Sequence, residues 1–337
     1  MGIKNLLKLL NQKEGIIKKR NHYDFKGKVI AIDISILMYQ VVISIRNTGT
    51  DLTNNKGEIT SHILGIFNKT IVLLDKGIIP LYVFDGKPPE IKSKILKNRK
   101  NVRTKAMEKL KTITDEKERI KYFKRCVVIT RKQILECQEL LELMGIPYVV
   151  APEEADSQCA YLSYEGLVDS VLTEDMDILT FGAKNIVRNL SSHRNEPLEI
   201  DKKIILEKFN LTEIEFIELC VLLGCDYCYH SNSISANKIL EYYTKVRNLE
   251  KTLKLIENDG IHTDTIENYN NAIEYFSNPT VKKVTKKDIE LKKPRYDELI
   301  KLLVNKYNLI KYRIVKKIDK LVQNYNNSKT NENVINI

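Results

Sequence analysis

The chain of 337 residues has no tryptophan, only thirteen glycines and eight prolines, and 7% aromatic residues. Collagen-like and low-complexity chains are rich in glycine and proline, so this composition excludes a fibrous or disordered protein. Its 43% hydrophobic residues are sufficient for a large buried core. The sequence therefore predicts a globular protein, with one large α/β domain or two smaller ones.

Long hydrophobic runs are also missing. The longest apolar stretch, residues 28–45, is interrupted by Asp33, Ser35 and Gln40, whereas a membrane span needs roughly 20 apolar residues. The N-terminus lacks the apolar segment of a secretory signal, and Leu6 stands where a myristoylation signal has Ser or Thr. We therefore expect a protein that stays inside the cell and does not bind membranes.

The six cysteines do not form a pattern typical of disulfide-rich or zinc proteins. In an intracellular chain of this size most of them are expected to be reduced core residues. Cys225 and Cys228 form a Cys-x-x-Cys beside His230, but no second pair of ligands follows at a spacing typical of zinc sites. We therefore predict no metal at these thiols.

The net charge of +11 is unevenly distributed. Residues 90–132 contain sixteen Lys or Arg against five Asp or Glu, whereas residues 133–183 contain eleven acidic residues and no Lys or Arg. A single charged run is usually a solvated helix face. Two adjacent blocks of opposite charge indicate binding sites. A polyanion such as DNA binds a basic block, and divalent metal ions bind an acidic one.

Hydrophobic periodicity predicts alternating strands and helices in the first two thirds of the chain. Strands are predicted at 28–34, 78–85, 147–150 and 168–173; helices are predicted at 35–46 and 60–77, over most of 90–144, and from Pro152 onward. This alternation predicts an α/β fold with a central, mostly parallel sheet and helices on both faces. Beyond residue 200 the pattern is helical, with a capping box at Thr212 and Glu215.

Acidic residues lie at or just after the end of each of the four predicted strands. They are Asp33, Asp85, Glu154, Asp156, Asp175 and Asp177. One such Asp usually caps a helix or turn, but six at the carboxyl edge of one parallel sheet would repel each other unless divalent ions bind them. Two metal ions about 4 Å apart are typical of enzymes that hydrolyse phosphodiesters, and the basic block indicates a nucleic acid substrate.

The sequence closely resembles the flap endonuclease family, the XPG-type structure-specific 5′ nucleases. The matching motifs, in family order over residues 1 to about 230, are MGIKNLLKLL, VIAIDIS, TSHILG, YVFDGKPPEIKS, LMGIPYVVAPEEAD, TEDMDILTFG and LLGCDYC. The resemblance is to the eukaryotic members. The heavy use of Lys, Asn and Ile fits an AT-rich eukaryote or a large DNA virus.

The resemblance implies a catalytic site with two Mg²⁺ ions, for which Mn²⁺ can substitute. The implied metal ligands are the six acidic residues above and Asp226 of LLGCDYC. Lys92 and Arg99 match family residues that hold the scissile phosphate and stabilise its developing charge. The alternative is that both simply lie on a solvated helix face.

The resemblance also implies further contacts with DNA, among them Gly2, which matches a glycine near the site, and Arg103, a second candidate for the phosphate contact of Lys92 and Arg99. The matching residues are Gly2, Tyr39, Arg46, Thr60, Arg103 and Lys238. Tyr39 matches an aromatic residue on which a terminal base stacks, although a lone Tyr is more often a core residue. Gly2 can equally serve turn geometry. Thr60 can hold a one-nucleotide 3′ flap or cap its helix, and the sequence leaves both open.

The expected organisation is a single nuclease domain over 1–325. It comprises an N-terminal nuclease region (1–89), a basic helical arch for a single-stranded 5′ flap (90–132), an internal nuclease region (133–230), a modified helix-hairpin-helix for duplex DNA (231–250) and a C-terminal helical region (251–325). A disordered tail is expected over 326–337 because this stretch is polar.

Three features depart from the family pattern. Ser233-Ile234-Ser235-Ala236 replaces a glycine-containing hairpin, so Ser235 would be strained if a positive φ were needed there, and duplex anchoring and potassium dependence are in doubt. Asp156 replaces a Glu, which can shift metal preference. No glutamine begins a peptide of the kind that docks on the sliding clamp.

The predicted function is a monomeric 5′ flap endonuclease with 5′–3′ exonuclease activity in DNA replication and repair. Its DNA partners would carry 5′ flaps, nicks or junctions, and it would act in the nucleus or in a cytoplasmic viral replication compartment. Two alternatives stay open: a relative specialised for recombination or double-strand-break processing, and a junction-binding protein without catalysis.

Overall fold

The computed structural model describes residues 2–190 and 195–335, with side chains up to residue 328. The strands are β1 Ile17–Lys19, β2 Val29–Asp33, β3 Ile79–Phe84, β4 Tyr148–Val150, β5 Ser170–Leu172, β6 Asn185–Arg188 and β7 Leu198–Asp201. The helices are α1 Leu6–Leu10, α2 Ile34–Arg46, α3 Ser61–Asp75, α4 Ser93–Leu110, α5 Glu116–Arg125, α6 Arg131–Met144, α7 Ala155–Tyr164, α8 Asp177–Thr180, α9 Lys202–Phe209, α10 Glu213–Leu223, α11 Ala236–Val246, α12 Leu249–Asn258, α13 Ile266–Ser277, α14 Tyr296–Ile300 and α15 Lys311–Ile335. Among these helices none is both long enough and apolar enough to cross a bilayer.

The chain folds into two compact units, each assembled from three separate segments. The first unit consists of Met1–Asp24, Asp85–Ser93 and Ala151–Lys283. The second unit consists of Phe25–Phe84, Lys94–Val150 and Val284–Ile337. Each unit therefore brings together residues that are far apart in the sequence.

The first unit contains strands in the order β5-β6-β7-β1. β5 and β6 are parallel, whereas β7 is antiparallel to both β6 and β1. Val171 and Ile186 pair across the parallel ladder, and both are fully buried. Helix α10 begins at a capping box, because Thr212 Oγ1 accepts from Glu215 N and Glu215 Oε2 accepts from Thr212 N. The capping box predicted from the sequence is thus confirmed.

The second unit contains three parallel strands in the order β2-β3-β4. The centres of β2 and β3 are inaccessible to solvent: Ile30, Ala31, Leu81, Tyr82 and Val83 are fully buried. Continuous apolar runs of this kind are typical of parallel strands covered on both faces. Helices α2 and α3 present apolar faces to this unit, and Met38, Ile63, Ile66 and Phe67 are fully buried.

The predicted α/β fold class is confirmed, and so are the four strands predicted from sequence, now β2 to β5. β1, β6 and β7 were not predicted, because runs of three or four residues with charged members carry little periodicity. The helix predicted from Pro152 begins instead at Ala155, with Glu154 at its N-cap.

The C-terminal tail differs from the prediction as well. Residues 326–335 continue helix α15 instead of forming a disordered tail, and residues 336–337 lie outside the described residues. No glycine or proline follows Pro294 in the sequence, so no residue with a strong helix-breaking effect interrupts the chain after α15 begins. All six cysteines are free, and five of them are buried.

Candidate active site

Six of the seven predicted metal ligands and Lys92 lie in the first unit. The six are Asp85, Glu154, Asp156, Asp175, Asp177 and Asp226. Glu154, Asp175 and Asp177 are each less than a tenth exposed. Burial of a carboxylate is costly unless a counter-charge, a hydrogen bond or a metal ion compensates for it, so their surroundings decide what they can do.

A backbone connection holds the Asp85–Ser93 segment against the loop before α7. Gly86 N donates to Glu153 O at 2.6 Å, and Lys87 N donates to Pro152 O at 3.0 Å. A Cβ on Gly86 would lie 2.1 Å from Ala151 O, so only glycine permits this approach. The connection carries Asp85 and Lys92 to the same loop as Glu154.

Asp85 and Glu154 share the beginning of α7 in different ways. Asp85 Oδ1 accepts a hydrogen bond from Ala155 N at 2.9 Å, at the end of a helix where backbone N–H groups stabilise negative charge. Glu154 occupies the N-cap position, but its side chain makes no capping hydrogen bond. The Glu154 carboxylate is therefore available to other groups.

Those groups are one ammonium and two phenols. Glu154 Oε1 forms an ion pair with Lys92 Nζ, and Glu154 Oε2 accepts from Tyr227 OH at 2.8 Å and from Tyr275 OH at 3.1 Å. Burial alone would lower the pKa of Lys92, but Glu154, Asp156 and Asp177 outweigh it and raise the pKa. Lys92 is thus a fully charged cation among carboxylates.

Asp175 and Asp177 flank the turn that leads into α8. Asp175 N donates to Thr173 Oγ1 at 2.9 Å, and Asp175 Oδ1 accepts from Asp177 N at 3.2 Å. Burial raises the pKa of both carboxyls; for Asp177 the nearby Asp175 and Asp226 raise it further, and Lys92 opposes the change. Asp177 Oδ1 is buried and has no hydrogen-bond partner among the described residues.

These donors fit a divalent cation of the Mg²⁺ type. They are carboxylate oxygens, which Mg²⁺ prefers, and a cation would relieve the mutual repulsion of Asp175, Asp177 and Asp226 as well as satisfy Asp177 Oδ1. Over residues 2–190 and 195–335, no three Asp, Glu, His or Cys side chains already stand in a metal-binding arrangement. Mg²⁺ usually keeps several of its waters, so its ligands need not converge as closely as those of zinc.

Gly2 lies tightly against this carboxylate group. Its φ is +87°, and a Cβ there would lie 1.8 Å from Asp175 Oδ1. The glycine therefore does more than allow a turn, because any side chain at this position would displace a predicted metal ligand.

Asp33, the seventh predicted ligand, lies in the second unit at the end of β2. Its Oδ1 caps α2, accepting from Ser35 N at 2.7 Å and from Ile36 N at 3.2 Å. The side chain is buried. The capping role that is ordinary for a single Asp is therefore present, and it fixes the direction of the carboxylate.

Arg99 and Arg103, both predicted to contact DNA, lie on α4, which belongs to the second unit. Arg99 is exposed and Arg103 is half-buried. Ala106 is the one buried residue that α4 contributes over its eighteen positions. Most of α4 is therefore a solvated, strongly basic surface.

Tyr39 and Thr60 differ in exposure. Tyr39 on α2 is 37% exposed, so its ring is not the plain core residue that a lone Tyr usually is. Thr60 is almost fully buried and stands at the N-cap of α3, but its side chain makes no capping hydrogen bond. Thr60 therefore occupies the cap position without a side-chain capping bond, and its contact with a 3′ flap stays a prediction.

Arg46 is engaged by protein groups within the second unit. Its guanidinium forms two hydrogen bonds with the Asp51 carboxylate, both of 3.0 Å, and donates to Phe123 O at 2.9 Å. It also lies 4.1 Å from the centre of the Phe123 ring. Arg46 thus connects α2 to α5, and its predicted contact with DNA stays a prediction.

The segment that replaces the glycine hairpin contains no strained serine. Ser235 has φ −78° and ψ 150°, and its hydroxyl caps α11 by accepting from Lys238 N at 3.2 Å. The strain expected at Ser235 is therefore wrong, because a helix N-cap is extended and suits serine. Lys238 Nζ lies 4.5 Å from the centre of the Tyr242 ring and 3.6 Å from Glu241.

The sequence did not predict three close neighbours of the carboxylates: Gly86, Tyr227 and Tyr275. Gly86 and Tyr227 belong to the quoted motifs YVFDGKPPEIKS and LLGCDYC, so their position in a motif was a usable signal. Tyr275 lies in α13, 121 positions after Glu154, and no motif marks it.

Comparisons with known proteins agree with this geometry. Residues 1–106 match the XPG N-terminal domain and residues 145–226 match the XPG I-region. Flap endonuclease 1 of Glycine max is 40% identical over 333 residues, which cover 95% of this chain and 86% of that protein. Flap endonuclease-1 from Methanococcus jannaschii superposes with a TM-score of 0.73 at 30% identity, over 94% of this chain and 99% of that chain. The catalytic core of Rad2 in complex with DNA substrate gives a TM-score of 0.74 at 25% identity, over 95% and 100% of the two chains.

Proposed function

Because the chain belongs to the flap endonuclease family of XPG-type nucleases, we propose that it is a structure-specific 5′ nuclease. It hydrolyses DNA phosphodiesters at the junction of a single-stranded 5′ flap and duplex, leaving a 5′-phosphate and a 3′-hydroxyl, and it also has 5′–3′ exonuclease activity. The observation that supports this most directly is the buried group of carboxylates in the first unit, with Lys92 on Glu154.

Nucleases of this family depend on metal ions, and the proposed cofactor here is a pair of Mg²⁺ ions, for which Mn²⁺ can substitute. The proposed ligands are Asp33, Asp85, Glu154, Asp156, Asp175, Asp177 and Asp226. When bound, such ions activate the attacking water and stabilise charge on the attacking and leaving oxygens. The shorter Asp156 changes the reach of one ligand, so metal preference is a property to measure.

Lys92 and Arg99 are the proposed contacts of the scissile phosphate. The Lys92 side chain is only 14% exposed and is held in place by Glu154, so its ammonium is preorganised where negative charge develops. Arg99 is exposed on α4 and reaches the phosphate once DNA is bound. Lys92 would therefore be in position before DNA binds, whereas Arg99 would contact the phosphate only after DNA binds.

DNA binding is supported by the family and by the basic helices. We assign DNA binding to Gly2, Tyr39, Arg46, Thr60, Arg103 and Lys238, and residues 90–132 to the arch around the flap. The protein would act as a monomer without the usual sliding-clamp peptide. Its relatives process DNA, so the proposed location is the nucleus or a viral replication compartment, which imaging of a tagged protein would check.

A second candidate function is favoured by the segment that caps α11. Ser233-Ile234-Ser235-Ala236 lacks the two glycines of the family hairpin, and Ser235 caps a helix instead. Duplex anchoring by backbone amides would therefore differ, and this would suit a relative that processes recombination intermediates or double-strand ends.

One assay separates these functions. Labelled 5′-flap, nicked, gapped, double-stranded and single-stranded DNAs are incubated with Mg²⁺ or Mn²⁺, and the cuts are mapped. Preferred cutting at the flap junction supports the first function, and preferred degradation of duplex ends supports the second. Binding of junctions without any cutting would contradict both and leave a non-catalytic junction-binding protein.

A further inference from the structure

Two tyrosine hydroxyls converge on one oxygen of Glu154. Tyr227 OH and Tyr275 OH donate to Oε2 at 2.8 and 3.1 Å, whereas Oε1 pairs with Lys92 Nζ. A carboxylate oxygen has two lone pairs, so two phenols occupy Oε2 and leave Oε1 directed toward the lysine. Glu154 therefore has one defined orientation instead of several.

The two phenols are fixed by an aromatic cluster within the first unit. Tyr227 and Tyr275 pack edge to face with ring centres 5.0 Å apart, and Phe276 lies 5.1 Å from Tyr227. Phe181 packs against both Tyr275, at 5.6 Å, and Phe276, at 4.8 Å. Packed rings lose little freedom when their hydroxyls form hydrogen bonds, so these donors are preorganised.

The same cluster also contacts the lysine. Lys92 Nζ lies 5.6 Å from the centre of the Tyr227 ring, a distance at which a cation is attracted to an aromatic face. Tyr227 thus contacts both Lys92 and Glu154. Of these two residues, Tyr275 contacts only Glu154. Tyr275 is the cleaner residue for testing what the phenols contribute.

We propose that Tyr275, with Tyr227, is a positioning residue that holds the Glu154 carboxylate in the orientation used for phosphodiester hydrolysis. Without these donors Glu154 Oε2 would be free to rotate toward Lys92, and both oxygens would then compete for the ammonium that the scissile phosphate needs. This proposal rests on the nuclease function proposed above and adds a residue on α13 to its machinery.

The test compares Tyr275→Phe with Tyr148→Phe. Both variants keep the ring and remove a phenol that hydrogen-bonds to a carboxylate: Tyr148 OH donates to Glu142 Oε1 at 2.6 Å in the second unit, and Tyr275 OH bonds to Glu154 and also interacts with Glu153. Single-turnover cutting of a 5′-flap DNA should be about tenfold slower for Tyr275→Phe, with DNA affinity within about twofold of the wild type. Tyr148→Phe should cut at the wild-type rate. Equal rates for the two variants would overturn the proposal.

A double-mutant cycle separates positioning from general packing. If Tyr275 acts through Glu154, Tyr275→Phe should have no further effect in a Glu154→Gln background, whereas an equal further loss there would contradict the proposal. Thermal unfolding of each variant confirms that it is folded, and Tyr227→Phe replaces Tyr275→Phe in the cycle if the latter is unstable.

A second readout does not depend on cutting. Titration with Mn²⁺ alone, followed by the electron paramagnetic resonance signal of the free ion, should show at least about threefold weaker binding for Tyr275→Phe, because a ligand that is less well oriented binds the ion less tightly. Unchanged Mn²⁺ affinity would count against the proposal. If the wild type binds Mn²⁺ but cuts no DNA, the nuclease function fails while the positioning of Glu154 is still measured.

Discussion

The carboxylate group of the first unit and the basic helix α4 of the second unit carry opposite charges and are built in opposite ways. Glu154, Asp175 and Asp177 are buried, and their oxygens have defined hydrogen-bond donors or lie beside like charges. The side chains of α4 are almost all exposed. Burial of a charged side chain costs free energy but fixes the direction of its interactions. An exposed charged side chain has little such cost and can adopt several orientations.

The difference indicates a division of labour. Chemistry on a phosphodiester needs fixed groups, because preorganised charges stabilise the transition state without reorganising at the moment of reaction. A basic surface that binds a flexible single strand needs only many closely spaced positive charges, because its affinity arises from counterions released from the phosphates. Substitutions in the two regions should therefore change different measured quantities.

The largest effect is expected for Asp175→Ala. Removal of this buried, proposed metal ligand should slow cutting by at least about a thousandfold, since several kcal/mol of charge stabilisation would be lost, while flap binding is retained. Added Mg²⁺ should raise the unfolding temperature of the wild type but not of this variant. Asp201→Ala, which removes the helix cap of α9 outside the site, is the control and should cut normally. Full activity of Asp175→Ala would contradict the metal-site assignment.

A smaller effect is expected for Lys92→Ala and Arg99→Ala. Each should slow the chemical step by more than about tenfold and change DNA affinity less. The two should differ in stability: loss of Lys92 leaves the buried Glu154 without its cation and lowers the unfolding temperature, whereas loss of the exposed Arg99 does not. Rate and affinity falling equally would mean that these residues only bind DNA.

The smallest effect per residue is expected on α4 itself. Lys97→Ala with Lys100→Ala removes two exposed charges, and the slope of log affinity against log salt should fall by about 0.7 for each single-strand phosphate that is no longer neutralised. The single-turnover rate at saturating DNA should stay the same. Lys203→Ala, an exposed lysine on α9, is the matched control, and an equal change in slope there would show that α4 has no special role.

The sequence predicted those parts of the molecule that depend on local patterns. Strands β2 to β5 could be predicted because their apolar runs are continuous. The acidic residues could be predicted because each lies at or just after the end of a strand. The strands β6 and β7 were not visible, since NIVR and LEID are short and mix charged with apolar residues. Local pattern therefore located most of the fold and six of the seven predicted metal ligands, whereas Asp226 was predicted from the family resemblance alone.

Interactions between distant segments could not be predicted in this way. Tyr275 reaches Glu154 only because α13 packs in the first unit, and nothing around residue 275 marks it as functional. The strain expected at Ser235 was wrong for a related reason: the family pattern implied a turn, but the chain uses the serine as a helix cap. Backbone conformation there depends on the helix that follows.

The interleaving of the two units has a consequence for synthesis on the ribosome. The first unit begins at the N-terminus but ends at Lys283. Its four strands are complete once Asp201 has been added, whereas the aromatic cluster and the Tyr275 donor to Glu154 are complete only once α13 has been added. At about 5–20 residues per second, translation from Asp85 to Lys283 takes about 10–40 s. For most of this interval the nascent chain lacks Tyr275, so the proposed nuclease site is incomplete until late in synthesis.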